Sequence, residues 1–116
     1  FGVGGNTGNG GLLAANQAGK MAIGVDVDQY LTYPEVKSSL ITSAMKNVDV
    51  SVFNAAKAAQ AGTLKGGIAL SDISNGGIGL APYHDWDSKI SQKCKDAVQA
   101  AMDGLKSGKI QTGYKP

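Results

Sequence analysis

The sequence predicts an α/β fold in three layers with a largely parallel sheet, and three features predict it. Short apolar runs alternate with stretches of helical periodicity in the order strand–helix–strand, strand–helix, hairpin, helix. Glycine is 17 of 116 residues, roughly twice the usual frequency of about 7% and without a collagen period, which suits tight strand-to-helix turns. The length allows one domain and excludes two lobes that each carry a core.

Taken in order, Phe1–Val3 reads as the end of a buried strand, and Gly4 to Gly11 as a glycine-rich turn. A short helix follows over Leu12–Gln17, with Gly19 as its stop. Met21–Val25 is a second buried strand that ends at Asp26-Val27-Asp28-Gln29. Tyr30–Ser38 carries Pro34 and reads as a loop. Leu40–Ala44 is the next strand. Asn47 is placed to cap the following helix, where Val48, Val52, Ala55, Ala56 and Ala59 recur at helical spacing and Gly62 closes the run. Ile68–Leu70 and Ile78–Leu80 flank Ser74-Asn75-Gly76-Gly77, the pattern of a hairpin. Asp87 or Ser88 caps a last helix with the stripe Ile90, Cys94, Val98, Ala101 and Leu105, and Gly108 ends it.

Composition narrows the function. All 11 basic residues are lysine, against 9 acidic residues, for a net charge of +2. Arginine, the usual reader of phosphate and guanine edges, is absent, so no nucleic-acid partner is expected. No run of about 18 apolar residues marks a transmembrane helix. The opening Phe1-Gly2-Val3-Gly4, without an initiator Met, reads as the interior of a larger protein. Cys94 is the single cysteine and His84 the single histidine. No disulfide, metal cluster, cofactor or catalytic residue is therefore expected, and Cys94 reads as an inert core thiol. In His84-Asp85-Trp86-Asp87 the expected role is a helix start, with Trp86 packing beside it.

Two constellations point to a ligand. Gly2, Gly4 and Gly8 are spaced G-x-G-x-x-x-G between a strand and a helix, where backbone N–H groups can cradle an anion. The dinucleotide fingerprint has a glycine where Thr7 stands, and a plain glycine-rich turn explains the run equally well. Asp26 or Asp28, at the end of the next strand, sits where a carboxylate can take two hydrogen bonds from vicinal hydroxyls; a solvated loop acid is the other reading. Lys46 also lies at a carboxyl strand edge, where it reaches a ligand oxygen or only water.

The runs Gly5-Asn6-Thr7-Gly8-Asn9-Gly10, Ala22-Ile23-Gly24-Val25-Asp26-Val27-Asp28-Gln29 and Leu40-Ile41-Thr42-Ser43-Ala44-Met45-Lys46-Asn47-Val48-Asp49, with the later Gly76-Gly77-Ile78-Gly79-Leu80-Ala81-Pro82-Tyr83, resemble the basic membrane protein family. These are substrate-binding lipoproteins of ABC transporters that bind purine nucleosides. The resemblance covers nearly the whole chain and implies a periplasmic-binding-protein fold, two α/β lobes with the ligand in the cleft between them. It makes residues 1–116 a single partial domain, the C-terminal third of such a protein, without the N-terminal lobe, the lipobox and the signal peptide. It further implies that Asp26 holds the ribose hydroxyls, that Lys46 also reaches the ribose, that Phe1 stacks on the purine and that Asn6 lines the pocket. The implied partners are a purine nucleoside, a transporter permease and the missing lobe. The implied location is extracytoplasmic, with a lipidated N-terminus as anchor.

One wall built from Phe1, Asp26 and Lys46 hardly reaches the roughly 8 kcal/mol of a micromolar complex once association costs are met. The isolated chain is therefore expected to bind nucleoside at millimolar strength or weaker. Exposed cleft surfaces also make self-association an expectation, which gel filtration tests. The alternative is a dinucleotide-binding domain of an oxidoreductase, built on the glycine spacing and Asp26. A module without a ligand is a third reading.

Overall fold

The computed structural model describes residues 1–114. In chain order it contains α1 (Asn6–Gln17), β1 (Ala22–Asp26), α2 (Gln29–Thr32), a 3-10 segment (Pro34–Ser39), β2 (Leu40–Lys46), α3 (Val48–Gln60), β3 (Ile78–Leu80), a 3-10 turn (His84–Trp86) and α4 (Gln92–Lys106). The chain divides into two compact units. The first holds Phe1–Lys46 and Gly79–Gln92; the second holds Asn47–Ile78 and the residues from Lys93 onward.

The α/β class is the one the periodicity predicts, but the sheet is mixed. β1 and β2 pair in parallel, with Ile23 opposite Thr42 and Asp26 opposite Met45. β3 lies on the other side of β2. The Ala81 N–H donates to Ser43 O (2.9 Å) and the Asn47 N–H to Gly77 O (2.9 Å). One partner number rises as the other falls, so β3 runs antiparallel to β2. Ile68–Leu70, expected as a strand, is not one, and Ile68 is 87% exposed. The predicted hairpin is a closed turn instead. Asp72 O accepts the Gly77 N–H at 2.8 Å, and Asn75 Oδ1 accepts the N–H groups of Asp72 (3.0 Å) and Gly77 (3.1 Å). Phe1–Val3 forms no strand either; one bond, Gly2 N–H to Ile23 O at 3.4 Å, ties it beside β1.

In the first unit, α1 begins six residues earlier than the sequence suggests. Gly4 and Gly5 (φ 119° and 56°) make the turn, and the rest of the glycine run is helical. Glycine costs about 1 kcal/mol in a helix interior, yet Gly8 is where the helix meets Gly2. A Cβ on Gly8 would stand 2.8 Å from Gly2 O. Close backbone packing has overridden propensity. Leu12 on this helix is buried with Ala22, Val36 and Leu40, and Tyr30 and Tyr33 pack against the cluster. The segment from Tyr30 to Ser38, expected as a loop, is α2 and the 3-10 segment, with Val36 fully buried. Met21 and Ile23, the alternate residues beside Ala22, remain exposed.

In the second unit, Asn47 stands at the N-cap of α3, but its side chain makes no cap bond and donates to Gly76 O at 2.9 Å. α4 starts at Gln92 rather than after Asp87 or Ser88. The intervening residues, which belong to the first unit, fold back on Trp86, whose carbonyl accepts from Lys89 (2.8 Å) and Ile90 (3.0 Å). Cys94 is exposed, not a core thiol. The helix turns only Gly104 fully inward, where a Cβ would meet the Ile110 side chain at 2.6 Å. The three predicted stops hold: Gly19, Gly62 and Gly108 take φ values of 62°, 68° and 75° just past their helices.

Candidate functional site

Parallel pairing sets the site. Because β1 and β2 run the same way, with one register shift between Ala22 and Ile23, their carboxyl ends emerge side by side, and Asp26 and Lys46 are the last residues of each. Lys46 Nζ stands 2.8 Å from Asp26 Oδ1, with the two side chains 65% and 48% exposed. Oδ1 itself has almost no accessible surface, and the Lys46 ammonium is the charge that compensates it.

Asp26 is also strained. Its φ is +70°, and the Val27 N–H reaches back to Val25 O at 2.9 Å. This i→i+2 bond around a positive φ is the rarer of the two γ-turns. A non-glycine residue in such a conformation costs on the order of 1–3 kcal/mol and persists where its surroundings impose it.

Gln29 imposes it. Its buried side chain accepts the Val25 N–H through Oε1 (2.8 Å) and donates through Nε2 to Asn9 Oδ1 on α1 (2.8 Å). Its own N–H donates to Ser43 Oγ on β2 (3.1 Å). One residue thus joins β1, α1 and β2 directly behind the turn. Gly24 makes room for it, since a Cβ there would stand 2.8 Å from Gln29 Oε1. The sequence reading missed Gln29, Asn9 and Ser43 as site residues. The available signal was small residues, Gly24 and Ser43, on facing strands next to a long polar side chain.

Asp28 is committed elsewhere. Its Oδ1 accepts the Tyr30 N–H at 3.2 Å and caps α2, and its Oδ2 lies 2.8 Å from His84 Nε2. Asp26 is therefore the carboxylate of the pair whose partner is an exposed lysine. Tyr30 stacks on His84 with ring centroids 4.0 Å apart and donates its hydroxyl to Asp85 Oδ2 at 2.9 Å. That bond to a carboxylate, helped by the nearby negative charge, holds the phenol above its ordinary value. Trp86 packs within the same unit, donating Nε1–H to Ser38 O at 3.2 Å. Among the described residues no three His, Cys, Asp or Glu side chains converge as metal ligands.

A hollow of about 260 Å³ lies beside the γ-turn, lined by Asn6, Asn9, Val25, Asp26, Gln29 and Tyr33 among others. The structure thus brings Asn6 and Asp26 to one hollow and Lys46 to Asp26. Phe1 is 71% exposed and does not line it. A larger hollow of about 590 Å³ in the second unit, walled by Leu70, Ile78, Leu105 and Ile110, contains none of the four candidates. The glycine run offers little as an anion cradle, since Gly8 is spent on packing against Gly2.

A family model described as "ABC transporter substrate-binding protein PnrA-like" matches residues 1–111. A search of curated proteins finds no match. Similar folds are found among solved structures. One is a transcriptional activator of the comK gene from Bacillus halodurans, 25% identical, with a TM-score of 0.69 over 90% of this chain and 34% of that one. Another is an ABC transporter solute-binding protein from Aeropyrum pernix K1, 24% identical, with a TM-score of 0.74 over 94% of this chain and 38% of that one. The chain spans little more than a third of the length of either.

Proposed function

We propose that this chain, which belongs to the family of PnrA-like ABC transporter substrate-binding proteins, carries one wall of a purine nucleoside site in which Asp26 and Lys46 hold the ribose. The observation that carries the reading is the strained Asp26 at the carboxyl edge of β1, paired with Lys46 at the edge of β2. Ligands of open α/β sheets bind at such edges. Vicinal hydroxyls donate to the carboxylate, and the ammonium donates to a hydroxyl oxygen. Without ligand the two groups hold each other. A pair this exposed contributes about 0–1 kcal/mol, so exchanging it for ribose costs little.

Charge-assisted hydrogen bonds contribute about 1.5–3 kcal/mol each. Asn6 adds an amide at the rim of the hollow. Phe1, exposed beside β1, supplies a stacking face worth about 0.5–1.5 kcal/mol beyond burial. The hollow, at about 260 Å³, falls short of the roughly 300–1,000 Å³ usual for small-molecule pockets. The opposite wall belongs to residues outside this chain, and closure of two lobes completes the site. The whole protein then captures nucleosides outside the cytoplasmic membrane, where a lipidated N-terminus holds it, and delivers them to a permease. Residues 1–116 act as one partial domain of it.

Calorimetric titration of the longest natural form with inosine, guanosine, adenosine and NAD tests this. Nucleoside binding that disappears in Asp26→Ala is the expected result. NAD binding with no nucleoside response, or nucleoside binding indifferent to Asp26→Ala, would overturn it.

A further inference from the structure

We propose that His84 is a positioning residue for Asp26, acting through Asp28; its ligand, though not its geometry, rests on the nucleoside reading above. The turn from Asp26 to Gln29 has two anchors. The inner one is Gln29, bonded to Val25, Asn9 and Ser43. The outer one is His84, 56 residues along the chain, whose Nε2 meets Asp28 Oδ2 at 2.8 Å with both side chains mostly buried. The other oxygen of Asp28 caps α2. The imidazole therefore fixes the carboxylate that fixes the start of α2, two residues after the γ-turn.

The imidazole is itself held on several sides. Its ring stacks on Tyr30 at 4.0 Å and 11°. The Tyr30 hydroxyl is tied to Asp85, and Lys37 Nζ stands 4.6 Å from the Tyr30 ring centroid. His84 also adopts φ +45°, which for a non-glycine residue is kept only where the surroundings enforce it. Asp26 and His84 are the two non-glycine residues at positive φ among those described. They lie at opposite ends of one chain of contacts, Asp26–Val27–Asp28–His84. A carboxylate on an exposed loop holds a diol geometry only if the loop is fixed, and Gln29 alone fixes it from the sheet side.

Two substitutions separate the parts. His84→Phe keeps a ring to stack on Tyr30 and removes the donor to Asp28. His84→Gln returns an N–H donor near the position of Nε2. Hydrogen exchange needs no ligand: the Val27 amide, closed on Val25 O, should exchange about tenfold faster in His84→Phe and recover in His84→Gln, with β2 amides unchanged. An unchanged Val27 amide, or equal acceleration across β2, overturns the proposal.

Titration adds the functional arm. Inosine affinity should fall about tenfold in His84→Phe and recover in His84→Gln, while 2′,3′-dideoxyinosine, which offers Asp26 no hydroxyls, should be unaffected. Equal weakening of both ligands overturns the proposal. If the longest natural form, unsubstituted, binds both equally or binds neither, the ribose reading fails, and the Val27 amide still decides the role of His84.

Discussion

The two compact units differ in what holds them. The first buries Leu12, Val36 and Leu40 to 2% exposure or less and threads polar bonds from Gln29 and Asp28 through the space between strand and helix. In the second, no apolar side chain is buried among the described residues. Val48 and Val52 on α3 are each 62% exposed and Phe53 is 66% exposed. What organises the second unit is polar: the helices' own bonds, the Asp72–Gly77 turn, Asn47 to Gly76 O at 2.9 Å, and Ser51 against Ser71 at 2.7 Å. Periodicity says which face of a helix wants cover and is silent on whether the cover lies in the same chain. The chain covers only 34% and 38% of the two solved structures, and the candidate site is in the unit that has its own core.

The sharpest way to break this contrast is to remove one apolar side chain from each unit. Leu12→Ala should cost about 2–5 kcal/mol in urea unfolding, because it empties a packed position. Val52→Ser should stay within about 0.5 kcal/mol. Similar losses at both positions would show that the second unit is packed as tightly as the first.

Glycines offer a finer contrast within the first unit. Gly24→Ala drives a Cβ into Ser43 Oγ and Gln29 Oε1, and should destabilise by about 1–3 kcal/mol while weakening inosine binding. Gly10→Ala lies in α1 with nothing within 4 Å of the new Cβ, and should stabilise by up to about 1 kcal/mol. Thermal midpoints of the two variants moving in the same direction would contradict the packing around Gln29.

The smallest effect belongs to the second unit and depends on pH. Asp72 accepts the Ser74 hydroxyl at 2.6 Å and its N–H at 2.8 Å, and these bonds hold its carboxyl below the ordinary value. A lowered folded value means that the stabilisation is present above the ordinary carboxylate range and is lost as pH falls through the lowered one. The midpoint difference between the protein and Asp72→Asn should therefore be seen at neutral pH and close in acid. A difference that stays constant to low pH would rule out a charge-dependent turn.

Elements with local causes were legible in the sequence. The strands at Ala22 and Leu40 show as apolar runs, and the helix stops show as glycines that take a left-handed φ. The carboxyl-edge positions of Asp26 and Lys46 were legible from the strand pattern, while their pairing across β1 and β2 came only with the structure; a ribose role for either rests on the family resemblance. Effects that depend on distant contacts were not. The glycine run became helix because Gly8 packs on Gly2, and Ile68–Leu70 stayed out of the sheet because β3 alone took the edge of β2. Asn47 turned to Gly76 rather than to its own helix. Gln29 and His84 stand in runs the sequence singles out, but nothing there gives either a role beside Asp26; their contacts reach partners up to 56 residues away.

The central claim is that the strain at Asp26 serves ligand binding rather than the fold. Asp26→Gly tests it most directly, because glycine takes φ +70° without cost and brings no carboxylate. The expected result, in the longest natural form, is a thermal midpoint equal to or above that of the unsubstituted protein, together with loss of inosine binding in calorimetric titration. A lowered midpoint, or inosine bound with unchanged affinity, would contradict it.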